Sequence, residues 1–179
     1  MITNIINIIT LSRIVCAILI YLFLYLESHY LIALLLFAIA SFSDFLDGYL
    51  ARKTNSVSVL GEILDPIADK LLIVFVLIGL SVNLDSFLVG FISAVIISRE
   101  IWVAALRDIN SRNKQSEKTK VTFLAKTKTA IQMLSILMYL FGLTINNMMI
   151  LFFADIILII ALLVTIQTGF QYTISTFKK

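Results

Sequence analysis

Residues 43–70 read SDFLDGYLARKTNSVSVLGEILDPIADK. Four aspartates fall within this stretch of an otherwise apolar chain: Asp44, Asp47, Asp65 and Asp69. The first two are three residues apart and the last two are four apart, so each pair shares one face if both segments are helical. A short turn between the segments would bring the two faces together. Because four gathered carboxylates repel one another unless cations lie among them, the stretch predicts a cation site between two consecutive helices.

The chain as a whole has the composition of a membrane protein. Of its 179 residues, 60% are hydrophobic and 14% are charged, and its mean hydropathy is +1.03. Soluble domains typically carry about 25% charged residues. A membrane-spanning helix needs about 20 mostly apolar residues, so the length allows several spans but no sizeable soluble domain. We therefore expect one membrane domain over residues 1–179 and no nucleic-acid partner.

Apolar periodicity predicts an all-α integral membrane protein with six transmembrane helices that follow a short interfacial helix. The first nine residues, MITNIINII, carry isoleucines at helical spacing and asparagines off that stripe, which is typical of a helix lying at the membrane surface. The six predicted spans run over about Thr10–Leu26, Tyr30–Ala51, Ile63–Leu80, Phe87–Leu106, Thr127–Ile145 and Met148–Ile166.

Basic residues indicate the orientation of these spans. Lysines and arginines follow span two, fill the segment between spans four and five, and close the chain, whereas the alternate loops contain none. Because lysine and arginine near span ends stay on the cytosolic side, both termini are expected in the cytosol. The only sizeable predicted loop, Asp108–Val121, is expected there too.

Polar and charged residues inside the spans fall toward the same cytosolic side. Besides the aspartates they are Thr10 and Arg13 in span one, Lys70 in span three, Arg99 and Glu100 in span four, and Lys126, Lys128 and Gln132 in span five. Ionisable groups within a membrane normally face a cavity and one another. The sequence therefore predicts a polar chamber, open to the cytosol, inside an apolar helix bundle.

The residue types in the opening stretch favour phosphate chemistry that depends on a metal. Carboxylate oxygens are the ligands that Mg²⁺ and Mn²⁺ prefer, and two such ions can clamp a phosphoryl centre. Gly48 and Gly61 would admit a phosphate close to the backbone, and Arg52 could pair with it. The alternative is that the aspartates cap helices, but Asp44 and Asp69 lie too far inside apolar runs for that role.

Eight positions of the stretch match the pattern D-x-x-D-G-x-x-A-R-x8-G-x3-D-x3-D without a gap: Asp44, Asp47, Gly48, Ala51, Arg52, Gly61, Asp65 and Asp69. This pattern resembles the signature of the CDP-alcohol phosphatidyltransferase family. The resemblance implies a six-span, usually homodimeric integral membrane enzyme. Such an enzyme moves a phosphatidyl group from CDP-diacylglycerol to an alcohol and releases CMP.

The resemblance also implies a role for each matching residue. The positions of the four aspartates would hold two divalent ions, and Asp69 would act as the general base as well. Gly48, Arg52 and Ser58 fall where family members contact the CDP part of the donor. The N-x-x-T pair of Asn7 and Thr10 resembles another nucleotide contact, although a polar helix face and a helix cap would give the same pattern.

The acceptor alcohol is predicted from spans four and five. The stretch ISREIWVAALRD supplies Arg99 and Arg107, and LAKTKTAIQM supplies Lys126 and Lys128. Several cations around one cavity favour an acceptor that has its own phosphate. Both stretches resemble those of bacterial family members that make phosphatidylglycerophosphate, which implies sn-glycerol 3-phosphate as acceptor. The implied location is the bacterial inner membrane, with the active site facing the cytosol.

Other interpretations of these charges stay open. The cations could instead bind the anionic headgroups of membrane lipids, and a pair between Arg99 and Glu100 could only order the helices. The acceptor could be phosphatidylglycerol, as in a cardiolipin synthase of the same family. A small cation or solute carrier is an alternative from a different class of protein. The placement of every chamber charge on one side of the membrane argues against it. Asp155, well inside span six and away from the chamber, has no predicted role.

Overall fold

The computed structural model describes residues 2–27, 29–54, 59–119 and 123–178. Within those ranges, the side chains at positions 2–8, 44–54, 59–63, 65, 116 and 126 lie outside the description. The described residues form six α-helices and one short 3-10 helix, Ser116–Thr119, and include no strand. The helices α1 to α6 are Ile2–Tyr25, Tyr30–Thr54, Val59–Asn83, Phe87–Arg112, Phe123–Thr144 and Met148–Phe177. The prediction of an all-α fold is confirmed for this part of the chain.

The predicted starts of spans two, four and six coincide with the starts of α2, α4 and α6. Two of these starts are fixed by polar turn residues. Ser86 accepts a hydrogen bond on its side chain from the backbone N–H of Val89 at 3.3 Å, and Asn147 accepts one from Met149 at 3.0 Å. Such caps satisfy N–H groups that have no partner within the helix.

The predicted division between an interfacial helix and span one is wrong. Helix α1 runs without interruption over Ile2–Tyr25. This stretch contains neither glycine nor proline, the two residue types that most often end or bend a helix. The first residues of the chain therefore continue the helix of span one.

Helices α4 and α6 extend well beyond the predicted ends of their spans at Leu106 and Ile166. The first continues to Arg112 and the second to Phe177. The predicted loop Asp108–Val121 is therefore too long, because its first residues are helical. Hydropathy marks where apolar sequence stops, but backbone hydrogen bonding continues through the charged residues that follow.

Two hydrogen bonds join the C-terminal parts of α4 and α6. Trp102 donates from its indole N–H to the Thr173 hydroxyl at 2.9 Å. Asn110 donates from its side-chain amide to the Thr176 hydroxyl, also at 2.9 Å. These bonds lie beyond the main apolar core, beside a smaller buried cluster of Val103, Leu106 and Tyr172 that also joins the two helices.

The core is an apolar cluster to which all six helices contribute fully buried side chains. Ile20 of α1, Phe37 of α2 and Leu77 of α3 are among the residues with no exposed surface. Gly79 lets α3 approach α1 closely, since a Cβ added there would lie 3.0 Å from Leu24 Cδ1. Helix α3 also contacts α4 and α5, and α6 packs against α4 and α5.

Large apolar side chains also cover the outside of the bundle. Phe87 is 86% exposed and Phe123 is 81% exposed. Leaving such surface in water costs about 25 cal/mol per Å², whereas lipid chains accept it. Within the described residues, three helical segments are long and apolar enough to cross a membrane: Pro66–Asn83, Phe87–Arg112 and Met148–Phe177. These features are those of a membrane protein.

Asp155, which has no role in the sequence pattern, is hydrogen-bonded to a neighbouring helix. The hydroxyl of Tyr139 on α5 donates to its Oδ1 on α6. In the same helix pair, the Ser135 hydroxyl donates to the Ala154 carbonyl at 3.1 Å. Polar contacts of this kind fix which faces of two apolar helices meet.

Helices α5 and α6 are in close contact at Gly142. A Cβ added there would lie 2.8 Å from Leu151 Cδ2 and 3.2 Å from Ile150 Cγ2. We expect Gly142→Ala to lower the thermal unfolding midpoint of the detergent-solubilised protein, because overpacking costs about 1–3 kcal/mol. Gly90→Ala is the control, since its added Cβ would have Ser81 Cβ as its nearest contact, at an ordinary 3.7 Å. Equal midpoints for the two variants would contradict this view of the contact.

Candidate active site

A cavity of about 390 Å³ lies between α3, α4 and α5. Its charged lining residues are Asp69, Lys70, Arg99, Glu100, Arg107 and Lys128. The remaining wall is largely apolar and includes Ile73, Ile96 and Val103. The charged residues come from the first halves of α3 and α5 and the second half of α4, which alternating helix direction brings to one end of the bundle.

The cavity brings together four residues predicted to bind substrate or to act on it. Asp69, the predicted base, lines it together with Arg99, Arg107 and Lys128, three of the residues predicted to bind the acceptor phosphate. Thr10 is fully buried on α1 and is not among the lining residues. Where these side chains lie is compatible with the predicted roles, which stay predictions.

The other predicted site residues lie outside the described residues in whole or in side chain. Ser58 falls in the undescribed segment 55–58, and the side-chain positions outside the description include Asn7, Asp44, Asp47, Gly48, Arg52, Asp65 and Lys126. Of the four aspartates, only Asp69 has a described side chain. Among the side chains that are described, no group of three or more Asp, Glu, His or Cys residues occurs. The site for two divalent ions therefore stays a prediction.

A buried arginine holds Asp69. Nη1 of Arg13 donates to Oδ1 of Asp69 at 2.8 Å, which ties α1 to α3. The Arg13 side chain is 1% exposed and that of Asp69 is 32% exposed. A buried guanidinium is costly unless a partner of opposite charge lies beside it. The pair therefore stabilises this helix contact and fixes the carboxylate at the cavity wall, a role that the sequence pattern did not assign to Arg13.

Three cations surround Glu100. Its Oε1 accepts hydrogen bonds from Arg99 Nη1 at 2.8 Å and from Lys128 Nζ, and Lys70 Nζ lies 4.0 Å from Oε2. The carboxylate offsets repulsion among cations that are partly removed from water. The Arg99–Glu100 ion pair that the sequence suggested is thus present. It is one part of a larger charged cluster on the cavity wall.

Helix α6 supports the arginines from outside the cavity. Arg99 Nη2 donates to the Thr168 hydroxyl at 2.8 Å. The guanidinium carbon of Arg99 lies 5.7 Å from the centroid of the Tyr172 ring, and that of Arg107 lies 5.5 Å from the same centroid. Distances below about 6 Å are those of a cation–π contact.

Because the predicted span six ends at Ile166, Thr168 and Tyr172 are not among the predicted site residues. The signal that could have found them is helical spacing. Thr165, Thr168 and Tyr172 follow one another at three and four residues, so they share one face of a helix. Thr165 also contacts the cavity wall, since its hydroxyl accepts a hydrogen bond from Gln132 at 3.1 Å.

The arrangement suits an anionic ligand beside a carboxylate. Four cationic and two anionic side chains line the cavity, which favours a group such as a phosphomonoester with its charge of about −1.5 to −2. Apolar walls strengthen hydrogen bonds between charged groups because they lower the local dielectric. The cavity can therefore bind a phosphate and present Asp69 as a proton acceptor to the rest of the same ligand.

Comparison with known proteins relates most of the length of this chain to one protein family. The family model described as CDP-alcohol phosphatidyltransferase matches residues 3–167. A Rickettsia bellii protein named CDP-diacylglycerol--glycerol-3-phosphate 3-phosphatidyltransferase is 40% identical over 172 residues, which cover 94% of this chain and 93% of the relative. Proteins with the same name from Haemophilus influenzae and Rickettsia felis are 37% and 38% identical. Those matches cover 84% and 94% of this chain, and 80% and 93% of the respective relatives.

The family match spans both halves of the four-aspartate stretch and the helices that line the cavity. The relatives align over nearly their whole length, so the relationship is not confined to a short motif. The chain belongs to the CDP-alcohol phosphatidyltransferase family.

Proposed function

We propose that the chain is a phosphatidylglycerophosphate synthase, which transfers the phosphatidyl group of CDP-diacylglycerol to sn-glycerol 3-phosphate. The products are phosphatidylglycerophosphate and CMP. The observation that carries the proposal is the cavity in which Asp69 lies with Arg99, Arg107 and Lys128. The relatives named above have this donor and this acceptor in their names, which supports the same assignment.

The charge of the cavity favours glycerol 3-phosphate over phosphatidylglycerol as acceptor. A phosphomonoester carries a charge of about −1.5 to −2 near neutral pH, whereas the phosphodiester of phosphatidylglycerol carries a single negative charge. Four cationic lining residues, offset by two carboxylates, match the more highly charged group. The names of the relatives favour the same acceptor over the cardiolipin synthase alternative.

The described residues suggest how the acceptor reacts. Arg99, Arg107 and Lys128 hold its phosphate, and Asp69 takes the proton from the attacking one of its two hydroxyls. The hydroxyl oxygen then bonds to the phosphorus that carries diacylglycerol, and the bond from this phosphorus to CMP breaks. Arg13 holds the Asp69 carboxylate in place at the cavity wall through the 2.8 Å contact. Apolar wall residues limit the access of water, which would otherwise compete as acceptor.

The donor part of the site extends the proposal to residues whose side chains, apart from those of Asp69 and Thr10, lie outside the description. Asp44, Asp47, Asp65 and Asp69 would supply carboxylate oxygens of the kind that suits Mg²⁺ or Mn²⁺, and two such ions, when bound, would neutralise charge on the pyrophosphate. The residues proposed to contact the CDP part are Asn7, Thr10, Gly48, Arg52 and Ser58. Lys126 is proposed to join the acceptor-phosphate residues.

We further propose that all six helices span the membrane, with both termini and the site facing the cytosol. In support, the cavity residues lie at one end of the bundle, and the basic residues between α4 and α5 follow the same end of α4. This orientation would place the site at the inner face of a bacterial inner membrane, where these basic residues meet anionic lipids. The homodimer expected from the family resemblance is part of the proposal.

An acceptor assay tests the reaction directly. Purified protein in detergent with CDP-diacylglycerol and Mg²⁺ or Mn²⁺ should convert radiolabelled sn-glycerol 3-phosphate into phosphatidylglycerophosphate, with one CMP released per lipid formed. Phosphatidylglycerol in its place should give no cardiolipin. Absence of a lipid product from glycerol 3-phosphate would contradict the proposal, and ion uptake by proteoliposomes without CMP release would favour the carrier.

Asp69→Asn should lower kcat by a factor of about 100 or more, since this is the usual contribution of a general base. Binding of CDP-diacylglycerol should stay measurable, because the amide keeps an oxygen for Arg13. Asp108→Asn is the matched control, since Asp108 is exposed and pairs with Arg112 on the surface of α4. Turnover at the wild-type rate by the Asp69 variant would remove Asp69 as the base.

Arg99→Ala should raise the KM for glycerol 3-phosphate by about 10-fold or more, because a hydrogen bond to a charged group contributes about 1.5–3 kcal/mol. The KM for CDP-diacylglycerol should change little. Arg112→Ala controls for the loss of an arginine from the same helix, as its side chain is 76% exposed and is not part of the cavity wall. Equal increases in both KM values would indicate that Arg99 only orders the helices.

A further inference from the structure

Three residues of α6 contact the arginines of the cavity from behind: Thr168, Gly169 and Tyr172. We call them the α6 support. None of them lines the cavity, and all lie beyond residue 167, where the family match ends. The family match therefore assigns them no role.

The α6 support holds Arg99 by three different contacts. The Thr168 hydroxyl accepts from Nη2 at 2.8 Å, and the Tyr172 ring faces the guanidinium at 5.7 Å. Gly169 makes room for the arginine side chain, since a Cβ added there would lie 3.1 Å from Arg99 Cγ. Glu100 takes one hydrogen from Nη1. A guanidinium has five N–H donors, two of them on each terminal nitrogen. Nη1 and Nη2 of Arg99 therefore each keep one N–H for a ligand.

Tyr172 also brings a second arginine to the same place. Arg107 starts eight residues after Arg99, about 12 Å further along α4, yet its guanidinium carbon lies 5.5 Å from the same ring centroid. Tyr172 is buried, with 3% of its surface exposed. The negative face of an aromatic ring attracts cations, so the ring offsets part of the repulsion between two arginines that share a site before an anion arrives.

We propose that the α6 support determines acceptor specificity by holding Arg99 and Arg107 in position for one phosphate group. This inference rests on the proposed function and deepens it. Fixed arginines lose little conformational entropy when a phosphate binds, so the support favours an acceptor that carries a phosphate over an alcohol that does not. The α6 residues act through the arginines and are positioning residues, not catalytic ones.

Paired variants of the full-length protein test the Tyr172 contact. Tyr172→Leu should raise the KM for glycerol 3-phosphate by about 3- to 30-fold, the range expected for the loss of cation–π contacts. Tyr172→Phe keeps the ring and should raise this KM less than Tyr172→Leu does. Both should leave the KM for CDP-diacylglycerol unchanged. The preference of the leucine variant for glycerol 3-phosphate over glycerol should shrink.

A second pair of variants tests the hydrogen bond between Arg99 and Thr168. It keeps the inference testable if Tyr172→Leu does not fold. Thr168→Val removes the hydroxyl that binds Arg99 without changing the shape of the side chain, and it should raise the same KM several-fold. Thr173→Val is its control, because it removes another hydrogen bond between α4 and α6, from Trp102, which does not involve the arginines. The control should leave both KM values unchanged.

Three outcomes would overturn the inference. One is an unchanged KM for glycerol 3-phosphate in both Thr168→Val and a folded Tyr172→Leu, with folding judged by the thermal unfolding midpoint. The second is an equal rise in the KM values for donor and acceptor. The third is the same effect from Thr168→Val and Thr173→Val, which would indicate a general loss of helix packing.

A binding measurement separates failure of this inference from failure of the proposed function. Glycerol 3-phosphate should raise the unfolding midpoint of wild type, and it should raise that of Thr168→Val less at the same concentration. Absence of lipid product from wild type would contradict the proposed reaction alone. Equal stabilisation of wild type and variant by glycerol 3-phosphate would overturn the role of the α6 support, whether or not the reaction occurs.

Discussion

Charged side chains buried among apolar helices need partners of opposite charge, and the rest of this structure depends on how they are paired. Arg13 of α1 reaches Asp69 of α3, and Glu100 of α4 gathers Arg99, Lys128 of α5 and Lys70 of α3. An unpaired charge in such a setting costs several kcal/mol. The pairs that hold these helices together are therefore also the pairs that arrange the cavity.

Part of the fold could be predicted because hydropathy and turn residues indicate where α2, α4 and α6 start. The turns before Phe87 and Met148 contain the capping residues Ser86 and Asn147, and both starts agree with the structure. The ends of α4 and α6 could not be predicted in the same way. The α4–α6 contact through Asn110 and Thr176 lies in more polar sequence, where the loss of apolar character does not end the helix. The break predicted before Thr10 failed for a related reason, since polarity changes there while helix propensity does not.

The gathering of Asp69, Arg99, Arg107 and Lys128 could be predicted because the alternating direction of successive helices decides the end of the bundle to which each residue belongs. The hydrogen-bond partner of each of these residues could not be predicted. The Arg13–Asp69 contact joins positions 56 residues apart, and the Arg99–Thr168 contact joins positions 69 apart. Such contacts depend on how each helix is rotated about its axis, and many faces of a largely apolar helix satisfy the same pattern. The site prediction therefore identified the cations and missed what holds them.

Glu100 has a consequence for how tightly any anion can bind in this cavity. Its carboxylate already occupies donors of Arg99 and Lys128, so an incoming phosphate competes with an internal anion for the same cations. The affinity for a phosphate then reflects the difference between two sets of ion pairs. When the ligand leaves, Arg99 and Lys128 keep Glu100 as their partner. An internal counter-ion of this kind weakens the binding of any further anion and, by the same amount, eases its release.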